Sequence, residues 1–231
     1  MKGLFFILAF LGSFGVFGEK KTFTDDDLNY LYISPEEFFR LEEANQSINL
    51  YSPDNNMASI SIFHATNLLR QKRGLNPLKP NYELHMAGLS HIEAMQRYGF
   101  FGHFNNYDTK NRTIRQRVEN QGGQFYIVAE NLAKVHPFQI KTKNYRYRYR
   151  NGNYFYYDMD NRPLQPMSYG QLGKSIVTDW YNSKGHRQNL LDPELTYLGV
   201  AVEISPSAYQ QSSLPDVYAA QEFGTRYGDL R

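Results

Sequence analysis

The sequence predicts an α+β protein with a β-hairpin inserted in its second half. Helical periods of apolar residues come first along the chain, whereas strand-like segments are concentrated towards its end. This order argues against alternating βαβ units, in which strands and helices take turns. A stretch of strict two-residue alternation is the third observation, and it is typical of a hairpin.

Residues 1–18 have the pattern of a secretory signal peptide. A basic residue precedes a run from 4 to 17 that is almost entirely apolar or glycine, and Val16 and Gly18 are the small residues that suit a cut before Glu19. The run is shorter than the roughly 20 apolar residues of a membrane-spanning helix. The sequence therefore predicts a secreted protein, extracellular or periplasmic, without a transmembrane segment. An uncleaved anchor is the alternative.

Composition narrows the chemistry that the chain can perform. None of the 231 residues is a cysteine, so there are no disulfides, no thiol nucleophile and no thiolate metal site. An exported chain without disulfides favours a bacterial source. The formal net charge of +2 gives no reason to expect a specific nucleic-acid partner. About 210 residues remain after the signal peptide, which suggests one domain with extensions.

The predicted elements follow from the spacing of apolar residues. Residues 19–55 are interpreted as an N-terminal extension with a short surface helix that begins at Ser34 and Pro35. The domain proper is assigned to residues 56–226. Within it, helices are predicted where apolar residues recur at three and four, and several end at a glycine. The predicted helices are 57–69, 84–98, 114–118 and 172–180, and the predicted strands are 125–129, 197–204 and 217–223.

An insertion at residues 139–170 carries an unusual alternation of tyrosine and arginine, followed by Asn151-Gly152. This pattern predicts a two-stranded hairpin over 141–160 that projects from the domain and turns at Asn151-Gly152. The arginines of the first arm should share one face and its tyrosines the other. Two interpretations remain open, a surface that binds glycans or other polyanions, and a solvated hairpin whose tyrosines cover the domain. The candidate binding residues are Arg146, Arg148, Arg150, Tyr147 and Tyr149.

Three polar residues are candidates for chemistry. His103 and His186 each follow a glycine near the end of a predicted helix, and Glu130 ends the predicted strand at 125–129. A buried carboxylate is costly unless it is paired, so Glu130 is expected to have a partner. The spacing of the three residues does not by itself bring them together, and there is no HExxH or similar local metal motif.

Four blocks of sequence carry a resemblance to a known family. They are residues 67–70 with 74–78, residues 100–104, residues 129–133, and residues 180–191 leading into 198–200. In this order and spacing, residues 57–224 resemble the CAP (SCP-like) superfamily, in a cysteine-free bacterial form. The resemblance implies an α-β-α sandwich with a central cleft that is lined by two histidines and up to two acidic residues.

Carried over residue by residue, the resemblance implies that His103 and His186 are the histidines and that Glu130 is the first acid. Ser183 stands where many eukaryotic members have the second acid, and it cannot act as a carboxylate. The two imidazoles and Glu130 could hold a divalent metal such as Zn²⁺ with open positions. Alternatively, His103 and Glu130 form a hydrogen-bonded cluster and His186 caps its helix. The remaining histidines are interpreted as structural: His64, His85, His91 and His136.

The function favoured by this reading is a secreted binding or interaction module. Its cleft would accept a divalent metal, a small ligand, a lipid or a peptide. A metal-assisted hydrolase, with Glu130 as the base, is a second hypothesis and is less favoured because Ser183 replaces the second acid. Adhesion to glycans or polyanions through the Arg/Tyr insertion is a third.

Overall fold

A computed structural model of the chain describes residues 23–140, 144–205 and 209–229. The predicted signal peptide lies outside the described residues, as do residues 141–143 of the insertion. Within the described ranges, no helix combines the length and the apolar character that crossing a bilayer requires. The described residues confirm the α+β class, with helices on both faces of one sheet.

The helices and strands have the following bounds. The helices are α1 (Asp25–Tyr32), α2 (Pro35–Phe38), α3 (Glu42–Asn45), α4 (Asn55–Lys72), α5 (Tyr82–Tyr98), α6 (Ile114–Asn120), α7 (Tyr169–Asn182) and α8 (Lys184–Leu191). The strands are β1 (Lys79–Pro80), β2 (Ile127–Val135), β3 (Arg146–Arg150), β4 (Asn153–Tyr157), β5 (Tyr197–Ile204) and β6 (Val217–Thr225).

The sheet has the strand order β1-β5-β6-β2, with β1 parallel to β5 and the other pairs antiparallel. Helix α5 packs on one face of this sheet and contacts α6, while α4 packs on the other face and contacts α7. The largest apolar core lies on the α4 and α7 side, where Trp180 and Phe223 are buried. This arrangement is the expected α-β-α sandwich.

Strand β2 is longer than predicted. The sequence indicated a strand that ends at residue 129, but β2 continues to Val135 and pairs with β6 along its whole length. The sequence did not indicate this continuation because Glu130 and Asn131 are polar, whereas a buried strand is expected to consist of apolar residues. Glu130 therefore lies in the middle of a strand, and the prediction that it ends one was wrong.

Strand β1 and helix α8 are among the short elements that were not predicted. Strand β1 has only two residues, too few for any periodic signal. Helix α8 begins directly after α7, and Ser183 ends one helix and begins the next. His186 consequently lies in the first turn of α8 and not in a turn after a helix.

The N-terminal extension is part of the core. As predicted, α2 begins at Ser34, whose side chain accepts a hydrogen bond from the backbone N–H of Glu37. However, Phe38 is fully buried and stacks on the ring of His64, so only the side of α2 that carries Glu36 and Glu37 lies at the surface. The Nε2 atom of His64 lies 2.7 Å from the carbonyl oxygen of Tyr30, which ties the extension to α4. Burial lowers the pKa of His64 to about 4, so the ring is neutral and donates this bond.

The insertion forms the predicted hairpin from β3 and β4. Asn151 and Gly152 have φ angles of 51° and 82°, the two left-handed residues of a type I′ turn. The hairpin projects from the domain less than expected, since every residue of β3 is exposed but β4 is partly buried. Tyr156 is only 3% exposed and its hydroxyl donates to the carbonyl oxygen of Gln211, because one face of the hairpin packs against the loop before β6.

Candidate functional site

The structure joins His103 to Glu130. The imidazole Nδ1 of His103, in the loop after α5, lies 2.6 Å from Oε1 of Glu130 on β2. The His103 side chain is 51% exposed, whereas that of Glu130 is only 4% exposed. Hydrogen bonding to the carboxylate raises the pKa of His103 above its ordinary value, although partial burial opposes this. The pair thus presents one half-exposed imidazole that is oriented from behind by a buried carboxylate.

The second oxygen of Glu130 is held by Arg117. The Nη2 atom of Arg117, on α6, lies 2.5 Å from Oε2 of Glu130, and the guanidinium is almost fully buried. Its Nη1 atom donates to the carbonyl oxygens of His103 and Arg112. Burial opposes ionisation of Glu130, but the hydrogen bond from His103 and the charge of Arg117 outweigh it and lower the pKa. Glu130 is therefore an ionised, fully engaged carboxylate.

A second buried carboxyl, Glu222, lies opposite Glu130 in the sheet. The two residues are cross-strand partners of β2 and β6, and Glu222 is fully buried. Among the described residues, no donor reaches either oxygen of Glu222. Burial and the nearby charge of Glu130 raise its pKa well above the ordinary value. Burial and the charge of Glu130 therefore favour the protonated form of Glu222, beside an ionised Glu130.

The remaining histidines contact backbone carbonyl oxygens. His91, predicted as a hydrogen-bonded core residue, places Nε2 2.8 Å from the carbonyl oxygen of Gly102 and lies 3.9 Å from Glu130. Burial and the charge of Arg117 lower its pKa to about 4, so it is a neutral neighbour of the cluster. The Nδ1 atoms of His85 and His136 lie 2.6 Å and 3.0 Å from the carbonyl oxygens of Val200 and Pro215.

His186 lies at the same edge of β2. Asn131 donates to the carbonyl oxygen of His186, and Asn189 donates to the carbonyl oxygen of Glu130. Burial lowers the pKa of His186, and the charge of His103 lowers it further. The interpretation that His186 caps its helix as a cation was wrong, because cations are disfavoured at a helix N-terminus.

The arrangement of the candidate metal ligands suits a metal ion bound by the two imidazoles of His103 and His186. It suits less well the predicted site in which Glu130 is a third ligand. Both oxygens of Glu130 already have protein partners, His103 and Arg117. Over the described ranges, no three histidine or acidic side chains are grouped so as to hold a metal ion. The hydrogen bond at Nδ1 instead leaves Nε2 of His103 without a protein partner among the described residues. Glu130 thus has the position of the carboxylate that commonly orients a metal-binding histidine.

Sequence reasoning missed Arg117 and Glu222. Arg117 belongs to a short helix that is predicted from the apolar residues Ile114 and Val118, and nothing in the local sequence distinguishes Arg117 from its exposed neighbours. Glu222 could have been recognised from the sequence, because it is a charged residue inside the apolar predicted strand 217–223. A buried charge of this kind requires a partner.

Replacing Glu130 with glutamine is expected to lower the pKa of His103. Glutamine keeps an oxygen that accepts from Nδ1–H but lacks the charge that favours the imidazolium. NMR titration of the His103 ring protons in metal-free protein measures the change, with His136 as the internal control. An unchanged pKa of His103 would contradict the hydrogen-bonded pair.

The same pair makes stability depend on pH. Because the folded-state pKa of His103 lies above its ordinary value of 6.5, the stabilisation is complete below about pH 6.5. It is lost as the pH rises through the folded-state pKa. The wild type should therefore have a higher free energy of unfolding than the Glu130→Gln variant at neutral pH, and this difference should become smaller at alkaline pH.

A family model described as "CAP: Cysteine-rich secretory protein family" matches residues 63–223. The chain is 27% identical over 142 residues to the uncharacterized membrane protein YlbC of Bacillus subtilis, covering 62% of this chain and 30% of that protein. It is 24% identical over 150 residues to the uncharacterized protein YkwD of the same species, covering 65% of this chain and 44% of that protein.

One solved structure with a similar fold is an extracellular protein containing a SCP domain from Bacillus anthracis. The two chains are 22% identical with a TM-score of 0.49, and the match covers 74% of this chain and 41% of the other. The chain thus spans less than half the length of each of these three proteins.

Proposed function

The chain belongs to the cysteine-rich secretory protein (CAP) family, and from this premise we propose that it is an exported binding module whose cleft, at His103, Glu130 and His186, binds a divalent metal ion. The observation that carries the proposal is the oriented, half-exposed imidazole of His103. Export rests on the signal-peptide pattern of residues 1–18. The alternative ligands of the same cleft are a small molecule, a lipid or a peptide.

Roles within this cleft follow from burial. His103 and His186 would hold the metal, and Glu130 would fix the tautomer and direction of the His103 ring. Behind them, the charge of Arg117 favours the ionised form of Glu130, which stays buried away from solvent. A bound Zn²⁺ supplies a Lewis acid with open positions for a ligand of the partner molecule.

The hydrolase alternative is weaker. A general base must reach the proton that it abstracts, but both oxygens of Glu130 already have protein partners and its pKa is lowered. Ser183 supplies no second carboxylate. Adhesion to glycans through the insertion would use a different surface, the hairpin of β3 and β4.

Metal binding is tested by calorimetric titration of Zn²⁺ into EDTA-treated protein. We expect one site in the wild type and clear weakening in His103→Ala and in His186→Ala. The Glu130→Gln variant should bind about 10- to 100-fold more weakly, the effect typical of losing a group that orients a ligand.

His136→Ala is the matched control, because His136 is half-exposed and lies away from the cleft. It should bind like the wild type. Absence of Zn²⁺ binding in the wild type would overturn the metal proposal. If His136→Ala weakened Zn²⁺ binding as much as His103→Ala does, the binding would not be specific to the cleft, and the proposal would also be wrong.

A further inference from the structure

One face of the hairpin carries a row of arginines, named here the arginine face and formed by Arg146, Arg148 and Arg150 with Phe155 and Tyr157. The register pairs Arg146 with Tyr157, Arg148 with Phe155 and Arg150 with Asn153. Directly opposed residues of a hairpin share one face. We propose that the arginine face binds linear anionic glycans, those with sulfate or uronic acid groups. This function is separate from that of the cleft.

The three guanidiniums are available to a partner. Every residue of β3 is exposed, and among the described residues no carboxylate lies within ion-pair distance of these arginines. Arg146 contacts the side-chain oxygen of Asn161, and the guanidinium of Arg148 lies 4.7 Å from the ring centre of Tyr157. By contrast, the exposed Arg162 nearby is neutralised by Asp160 at 2.9 Å. Across the part of the chain that the structure describes, the positive charge of the arginine face is thus not paired with a carboxylate.

The spacing suits a polymer of anions. Alternate residues of a strand are about 6.6–6.8 Å apart, so the three arginines form a line of about 13 Å. A line of this length matches successive charged groups along a chain better than a single compact anion. Arginine forks bind sulfate and carboxylate oxygens in pairs, which adds geometric selectivity.

The opposite face anchors the hairpin to the domain. The hydroxyl of Tyr156 donates to the carbonyl oxygens of Gln211 and Ser213, and that of Tyr145 donates to Ser212. The backbone N–H of Tyr154 donates to the carbonyl oxygen of Tyr209. Because these contacts fix the hairpin before any partner arrives, little backbone order is lost on binding.

The two faces also separate the candidate residues. Tyr147 and Tyr149 lie on the anchored face, where their rings pack 5.5 Å and 4.9 Å from that of Tyr154. They are therefore not members of the arginine face, and the five residues singled out from the sequence do not form one surface. Tyr147 and Tyr149 are 53% and 65% exposed and pack on Tyr154 of the same hairpin, so they do not anchor the hairpin to the domain. The arginines form the charged surface that is offered to a partner.

Nucleic acid and membranes fit the arginine face less well. Single-stranded nucleic acid needs aromatic platforms beside the charges that hold its backbone. On the arginine face the ring of Tyr157 is covered by Arg148 and Phe155 is 37% exposed, while the more exposed rings of Tyr147 and Tyr149 lie on the opposite face. A membrane would require apolar residues at the tip, where Asn151 and Gly152 stand instead. Phe155 between the arginines offers a small apolar surface to the ring of a sugar.

The test compares the wild type with Arg146→Gln/Arg148→Gln/Arg150→Gln on immobilised heparin and in solution with heparin oligosaccharides and polygalacturonate. We expect the triple variant to elute at lower salt. The slope of log affinity against log salt should fall by about one for each lost contact. Circular dichroism should show an unchanged fold and melting temperature, because exposed arginines contribute little to stability.

Two further variants separate this face from net charge. Arg40→Gln/Lys72→Gln/Lys184→Gln removes the same charge from exposed sites outside the hairpin and should bind like the wild type. Replacing the three hairpin arginines with lysine keeps the charge but removes the forks, and should give intermediate affinity.

Retention of the Gln triple variant equal to that of the wild type overturns the proposal, as does an equal loss in the control triple. Stronger hairpin-dependent binding to single-stranded DNA or to phosphatidylglycerol vesicles than to heparin overturns the assignment to glycans. Loss of folding in the Gln variant, with the Lys variant folded and binding like the wild type, would reduce the arginines to a structural and charge role.

Discussion

Replacing Arg117 with methionine is expected to destabilise the protein by about 3–5 kcal/mol, the usual cost of leaving one member of a buried ion pair without its partner. Arg117 is almost fully buried and holds one oxygen of Glu130, which is itself buried. Without it, the hydrogen bond between His103 and Glu130 remains, but the charge that pairs with Glu130 in the interior is lost. Urea denaturation at neutral pH measures the loss of free energy of unfolding.

A matched control lies five residues earlier. Arg112 is exposed, so Arg112→Met should change the stability by no more than about 0.5 kcal/mol. The double variant Arg117→Met/Glu130→Met should be more stable than Arg117→Met alone, because no unpaired charge remains. If the double variant is less stable by the full sum of the two single effects, the two residues do not interact.

Replacing Gly199 with alanine is expected to cost more than about 4 kcal/mol, in the range of severe core disruptions. A Cβ atom on Gly199 would lie 2.0 Å from the backbone nitrogen of His85 and 2.3 Å from the carbonyl carbon of Leu84. These are backbone atoms of α5, so no side chain can rotate to relieve the contact. The variant should unfold at lower urea concentration or fail to accumulate in folded form.

Gly185→Ala is the control for this experiment. Gly185 lies in α8, and a Cβ atom there meets nothing within 4 Å. Because alanine favours a helix over glycine, this change should stabilise the protein by up to about 1 kcal/mol. A Gly199→Ala variant as stable as the wild type would show that α5 does not pack directly against β5.

Features of the fold with local causes could be predicted from the sequence. The helix around Leu84 to Tyr98 ends at Gly99, which adopts a left-handed conformation with a φ angle of 67°. The hairpin turns at Asn151-Gly152 because both residues tolerate positive φ. In each case a few neighbouring residues determine the backbone, so tertiary contacts are not needed to locate the element.

Features that depend on distant partners could not be predicted. Strand β2 passes through Glu130 and Asn131 because β6 and the side chains packed around them satisfy both polar groups. The pairing of Glu130 with Glu222 follows from the strand register, which the sequence pattern does not contain. The family resemblance, and not the spacing along the chain, predicted that His103 lies close to Glu130. A separation in sequence does not determine a distance in space.

The N-terminal extension packs against the domain, and this packing limits the distance that the extension can span. If residues 23–55 were an unfolded linker, they would reach up to about 110 Å. Instead, Phe38, Ala44, Ile48 and Leu50 are buried in the main core, and the ring of Phe23 lies 4.4 Å from that of His85. The segment therefore gives the domain no stalk, and the chain joins the folded body beside α5.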